Sequence, residues 1–434
     1  MTRVEARADA SDEELTALAA RHTGAARDSL DPAAGRMLRA VWFDRGTEHA
    51  GRLLLIVHHL AVDGVSWRII VPDLAQAWQD LAEGGRPDPA PVGTSFAQWA
   101  RAFTALPADD ADHWRELLAA DDPLIGPRRL DPALDLRGDA GRLTQRMPAD
   151  MTRAVLEDLP AAFHAGPDDV LLTALAAALP LWRGDRAGLL VDIESHGRHE
   201  DLVPGADLAR TVGWFTVAHP VRLDTEAADP RAVLDGTEAT GDALRAVKEQ
   251  LRATPRRGIG HGLVRFCDSG TAPEFGQLPE AQIGFNYLGR VSLAGALAPG
   301  WELAAVGGDN APDVPLSHTV EVNVAAHEGP EGPELVATWT WARALVPDAE
   351  AARLAELWAG ALSGLAAHGE HPEAGGHTRP TCWSPWSRRR YGSWRRPVTW
   401  PSCCRSPRSR RASSSTTSTA TARTTCTSPS SAWS

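Results

Sequence analysis

An α/β fold is what this 434-residue sequence predicts, and three observations carry that expectation. Short apolar runs of strand character alternate with segments whose apolar residues recur at helical spacing, over most of the chain. Period two is clear where Val320, Val322 and Val324 stand between Glu321 and Asn323, the pattern of a half-buried strand. Period 3.6 is clear behind Pro347 and Asp348, where Leu354, Leu357, Trp358, Leu362 and Leu365 form one stripe.

The elements follow in order. Ser11 can cap a helix through Ala20, with Glu13 and Glu14 in its first turn and Leu15 and Leu18 on one face. Met37–Trp42 and Leu53–Val57 read as a hairpin joined through Gly46-Thr47-Glu48-His49. Trp67, Ile70, Leu74, Trp78 and Leu81 then recur at helical spacing, with Gly84-Gly85 as the stop. Pro72 fits only near that helix's start or at a kink. Phe96–Leu106 and His113–Leu118 are short helices. Asp121–Gly141 is rich in Pro, Asp, Arg and Gly and serves as a linker between a unit of residues 1–120 and one of 142–378. In the second unit, Leu143–Met147, Leu189–Glu194, Val217–Leu223, Ala281–Leu288, Thr319–Ala326 and Leu335–Trp341 are strands. Thr152–Leu159 and the strongly apolar Asp168–Leu181 are helices. No internal repeat is visible.

Composition excludes several function classes. Hydrophobic residues make up 43% and charged residues 23%, ordinary for a globular protein. No apolar run approaches a membrane span and the N-terminus is no signal peptide, which makes the cytoplasm the default. The net charge of −12 is unevenly spread. All 56 acidic residues lie at or before Glu373, and 11 arginines follow from Arg379 onward. Residues 1–378 therefore carry 33 basic residues and a net charge of −23, which argues against nucleic acid as a partner. Cys267 alone of the five cysteines precedes the basic stretch, and no Cys/His spacing suggests zinc or disulfides. Lys248 is the only lysine.

The chemistry-bearing stretch is His58-His59-Leu60-Ala61-Val62-Asp63-Gly64-Val65-Ser66-Trp67. It follows a buried-strand run and so presents an imidazole at a strand–loop junction. Adjacent histidines point to opposite faces of a continuing strand, so at most one acts on a substrate. A histidine beside a core strand is more often a satisfied polar group; as a catalyst it can take and return a proton near neutral pH. Asp63 is expected to hold the loop, pairing with Arg68 or a distant arginine, and Gly64 to supply a positive φ. Trp67 is expected to pack in the core and fix the loop. In Val191-Asp192-Ile193-Glu194-Ser195-His196-Gly197-Arg198 the two carboxylates share one strand face; a strand-end glutamate is more often a solvated surface group. Asn286 and Tyr287 have opposite parity within Phe285-Asn286-Tyr287-Leu288-Gly289. Asn286 is the stronger candidate for a hydrogen bond to substrate, and packing is the bland reading of Tyr287. The glycines of Gly258-Ile259-Gly260-His261-Gly262 suggest a tight loop and no phosphate cradle, since no strand leads into them.

Five stretches, in order, resemble motifs of the condensation superfamily of nonribosomal peptide synthetases, and in particular its epimerization domains. The first is His-His-x-x-x-Asp-Gly-x-Ser-Trp at His58–Trp67. The second is Glu194–Arg198, with Ser195 where glycine is usual. Arg210-Thr211-Val212-Gly213-Trp214-Phe215-Thr216 and the segment from Lys248 to Gly262, with His261 where tyrosine is usual, follow. Phe285–Gly289 is the most discriminating, because condensation domains proper lack it.

The resemblance implies two lobes like chloramphenicol acetyltransferase, meeting in a V around a channel, with the first lobe incomplete because the family's usual upstream portion is not in this sequence. It implies His59 and Glu194 as the acid/base pair, His58 as structural, and Arg198 as an organiser of Glu194 or of substrate. Arg210–Thr216 would shape the channel floor. The implied reaction is L-to-D inversion at Cα of an aminoacyl or peptidyl thioester, held on the phosphopantetheine arm of a peptidyl carrier protein within a larger synthetase. No bound cofactor, metal, nucleic acid or membrane is implied. Amide-forming condensation is the enzymatic alternative; a catalytically dead remnant that only docks a carrier protein is the other. From Arg379 onward the sequence has no periodicity, and reads either as a basic arm for an anionic partner or as out-of-frame translation. The second is the expected reading.

Overall fold

A computed structural model describes residues 1–120, 122–184, 189–225, 228–290, 301–302, 312–329, 332–372 and 374–376. The expectation for the basic stretch after Thr378 lies outside these residues. Met1–Gly376 forms one compact unit. Among the described residues no helix is long and apolar enough to cross a membrane.

The unit opens with a three-stranded sheet. Strand β1 (Thr2–Glu5) pairs in parallel with β2 (Leu38–Asp44), which pairs antiparallel with β3 (Arg52–Val57). Helix α1 (Asp12–Asp28) lies between β1 and β2 in sequence and packs on this sheet. Ser11 caps it, accepting from the Glu14 N–H while the Glu14 carboxylate accepts from the Ser11 N–H. This reciprocal box satisfies two donors that the helix start would leave open. Ala19, Val41, Phe43 and Leu54 make a small core.

Helix α2 (Gly64–Ala82) runs from the histidine turn, with Pro72 in its interior instead of at its start. Its apolar face is less covered than its pattern implies. Trp67, Ile70 and Leu74 are half-buried, while Trp78 and Leu81 are exposed. Among the described residues, the Trp78 ring meets those of Trp42 at 5.8 Å and Trp301 at 6.4 Å. Three strands are too narrow a sheet to bury two helices. Helices α3 (Phe96–Thr104) and α4 (Ala111–Ala119) lead out of this region.

A six-stranded sheet follows. Strand β4 (Gly141–Met147) enters it at one edge. A continuous helical path then runs through α5 (Ala149–Arg153), a π-turn at Ala154–Asp158 and α6 (Leu159–Phe163). Next come α7 (Pro167–Arg183), β5 (Leu189–Ser195) and β6 (Val217–Leu223). Helices α8 (Pro230–Leu234), α9 (Glu238–Ala253), α10 (Ile259–Gly262) and α11 (Ala272–Phe275) precede the parallel strand β7 (Ile283–Arg290). Antiparallel β8 (Val320–Gly329) and β9 (Gly332–Trp341) complete the sheet, and α12 (Asp348–Gly369) closes the unit. The spatial order is β4-β9-β8-β7-β5-β6, with β5–β7 and β7–β8 parallel.

Strand parity divides this sheet into an apolar face and a polar one. Val191, Ile283, Phe285, Val320, Val322, Val324, Trp339 and Trp341 are buried against α7, α9 and α12. Opposite them, in register, lie Asp192 and Glu194 of β5, Gly284 and Asn286 of β7, and Glu321 and Asn323 of β8. Helix α7 reads as apolar on every side because it is the central helix of the core; twelve of its residues are buried. The sole lysine also lies here. Lys248 is 2% exposed, and its ammonium donates to the Phe163 carbonyl at 2.7 Å. Burial pulls its pKa below the ordinary lysine value. An amine-reactive reagent is therefore expected to spare Lys248 in the native protein and modify it after denaturation. Mass spectrometry of the labelled peptide checks this, and rapid native labelling would contradict the packing.

Candidate functional site

Strand β3 stops at Val57, so His58 and His59 turn away from the sheet edge instead of continuing it. The His58 N–H donates to the Met37 carbonyl at 2.8 Å. Its Nδ1 accepts from the Leu60 N–H at 3.2 Å, which leaves the proton on Nε2 in the neutral ring. His58 is thereby spent on the turn. His59 is exposed, with its ring 4.8 Å from that of Trp214.

Asp63 holds this turn in place from beneath. It is buried and caps α2, accepting from the Ser66 N–H at 2.7 Å. Its two oxygens also accept from the Arg198 guanidinium at 3.0 and 3.1 Å, and one accepts from the Phe215 N–H at 3.3 Å. Arg198 stacks over the Phe215 ring at 4.1 Å and donates to the Thr211 carbonyl at 2.6 Å. The Ser66 hydroxyl accepts from the Gly213 N–H at 3.1 Å. The segment 210–216 thus clasps the start of α2 and sets Trp214 beside His59. Asp63 pairs with a distant arginine, as one of the two expected options had it; Arg68 instead donates to the Arg290 carbonyl.

Three expectations are corrected. Gly64 has no positive φ. An Asp-Gly pair signals a turn, but here Asp63 is a helix cap, so Gly64 falls on the first residue of α2, and an added Cβ would meet nothing within 4 Å. Arg198 does not organise Glu194; its guanidinium is committed to Asp63 and to backbone carbonyls. Trp67 is half-buried and lies outside the packed core clusters.

The turn between Glu194 and Arg198 needs glycine at 197. Its φ is +65°, and a Cβ there would lie 1.7 Å from the Phe215 carbonyl oxygen. Gly197→Ala is expected to cost about 1–3 kcal/mol from the backbone conformation alone, with the clash in addition. A lowered urea midpoint checks this; an unchanged midpoint would contradict the geometry.

Glu194 stands at the end of β5 on the polar face, in register with Asn286 on β7. It is accessible to solvent. Among the described residues no hydrogen bond or ion pair reaches its carboxylate. Burial and the neighbouring Glu321 raise its pKa above the ordinary value; the charges of His318 and His59 partly offset this. His59, delivered from the first sheet, is therefore within electrostatic reach of Glu194 on the second. Asn286 shares the Glu194 face and is half-buried. Tyr287 points to the other face, packs against the core, and has its phenol pushed up to about 12 by burial and by Asp168. It is not brought to the His59–Glu194 space.

Sequence reasoning missed His318. Its Nε2 lies 3.1 Å from Asp192, and its ring occupies the space above Gly284, where a Cβ would come within 2.4 Å. Burial opposes its protonation, but the bond and charge of Asp192, with Glu321 and Glu194, outweigh that and raise its pKa. The signal was present in the alternation around Glu321 and Asn323, which marks a polar sheet face. It gave no hint of which histidine lies over that face.

The mixed α/β architecture and the site define a class, and comparison with known proteins agrees. The Condensation domain family matches residues 2–374, and the chain belongs to that family. A linear gramicidin synthase of Brevibacillus parabrevis is 35% identical over 359 residues, 81% of this chain. Chondramide synthase of Chondromyces crocatus is 38% identical over 362 residues, 80% of this chain. The chain spans only 4% and 9% of the length of these two relatives. Among solved structures, the epimerization domain from the third module of tyrocidine synthetase B superposes with a TM-score of 0.70 and 25% identity, over 85% of this chain and 80% of that one. The X-domain from teicoplanin biosynthesis shares the fold at 0.57 and 21%, over 86% and 79%. The chain is a condensation-superfamily domain of the nonribosomal peptide synthetase type.

Proposed function

We propose that the domain epimerizes an aminoacyl or peptidyl thioester presented on the phosphopantetheine arm of a carrier protein, in the cytoplasm and alongside neighbouring synthetase modules. The observation that carries this is an accessible, unpaired carboxylate of raised pKa, Glu194, within electrostatic reach of an accessible imidazole, His59, from a separate sheet. One group takes the Cα proton; the electron pair of the C–H bond passes into the thioester carbonyl as an enolate. The other group returns a proton to the opposite face. Asn286, in register with Glu194 on the same sheet face, is assigned as the donor to the enolate oxygen. The similarity to an epimerization domain supports the reading.

Amide-forming condensation is the second reading, favoured by the name of the family model. It employs His59 but leaves Glu194 without a task. The deciding experiment loads a carrier protein with an aminoacyl group deuterated at Cα. Epimerization releases the label to solvent and yields both stereoisomers. Retained label together with amide formation on an added amine acceptor would overturn it.

A further inference from the structure

Along the polar face of β5 the surroundings change every second residue. Leu190 is buried in a small core with Trp114, Leu118, Val264 and Phe275. Asp192 borders a cavity of about 140 Å³. Glu194 then reaches the proposed reaction space. The cavity wall includes Ala218, the cross-strand partner of Glu194, and Pro220, the partner of Asp192. The cavity therefore reaches Ala218, the cross-strand partner of Glu194, and borders the small core through Leu118 and Ala281.

Its polar groups are nearly all engaged. Asp192 is bonded to His318, and Arg265 to Glu280 and to the Phe275 carbonyl. Each carboxylate in the wall already has a hydrogen-bond partner, Asp192 in His318 and Glu280 in Arg265. His261 is the exception. It is 8% exposed, lines the cavity, and neither ring nitrogen has a hydrogen-bond partner. The Ala218 carbonyl is close enough to favour a proton on the ring, although no bond forms. Burial keeps the ring neutral by lowering its pKa. A neutral imidazole carries one unprotonated nitrogen, so the ring presents an unfilled acceptor. A buried polar atom left open in this way is destabilising until something bonds to it.

We infer that this cavity receives the side chain of the residue undergoing inversion, and that His261 selects a short uncharged side chain ending in a hydroxyl or carboxamide donor. The inference rests on the epimerase reading for the position of Cα. The volume is sufficient for side chains of this size.

Stable pantetheine amides of paired amino acids test it by calorimetry on the full chain, without need of turnover. Threonyl against valyl, and asparaginyl against leucyl, nearly hold shape and change only the donor. The threonyl and asparaginyl compounds are expected to bind about tenfold more tightly, the worth of one hydrogen bond. In His261→Leu that preference is expected to vanish while the alanyl compound binds as before; His261→Gln keeps it. Equal affinities within each pair for the unmodified protein would overturn the inference, with no variant needed. Label washout on the same carriers separates the two readings. Retention of deuterium on every substrate sinks epimerization, whereas selective binding stands or falls on its own.

Discussion

Glu194→Gln is expected to slow Cα exchange by about 10²–10⁴-fold, the usual worth of one positioned acid/base group. His59→Ala is expected to do the same. The double variant should be little worse than either single one, because groups acting on one proton path fail together. Washout of deuterium from a carrier-bound substrate measures all three. Full exchange in Glu194→Gln would end the two-group reading. The same substitution has a second signature. The folded protein holds Glu194 with its pKa above the ordinary value, so its charged form is penalised by folding. That penalty is complete above the folded pKa and disappears below the unfolded one. Glu194→Gln should therefore melt higher than the parent at neutral pH, and the two curves should converge as pH falls into the ordinary glutamate range. The raised pKa also moves the acidic limb of the exchange rate upward in pH, since a base must first lose its proton. Loss of activity with gain of stability separates a strained functional group from a structural one.

Arg198→Met is the second large effect. It strands the Asp63 carboxylate, 3% exposed, without its cation. Breaking a buried pair in this way costs about 3–5 kcal/mol, a large part of the stability of any domain. Adding Asp63→Asn should recover much of the loss. Asparagine still caps α2, and no buried charge is left unpaired. Urea unfolding reads both variants. A double variant no more stable than Arg198→Met would show that the arginine acts chiefly through its stacking on Phe215 and its bonds to carbonyls. Exchange activity should follow stability here, because neither residue touches the proposed reacting carbon.

What could be read in advance has a physical pattern. The Ser11 cap, the hairpin of Met37–Trp42 and Leu53–Val57, the parity of Asp192 and Glu194, and the stripe of α12 all depend on neighbours a few residues apart, and the structure contains each of them. Helix α9 went unread, although Ala243, Leu244 and Val247 are buried along one side of it. Its charged exterior and the glycines just beyond it drew the eye to a loop. Gly64 was misread because one dipeptide serves both turns and helix caps. The partner of Asp63 lies 135 residues away, and no local period encodes a separation of that kind. The histidine over Gly284 and the unfilled imidazole at 261 are likewise products of packing between distant segments.

The bond from Asp63 to Arg198 joins a strand turn of the first sheet to the loop after β5 of the second. Anyone building hybrid synthetases by exchanging the first 120 residues with those of a relative would cut this pair in two. A donor segment carrying aspartate but meeting a recipient without the arginine would inherit a histidine loop with no anchor. The natural seam for recombination therefore runs outside the whole unit and not between its two sheets.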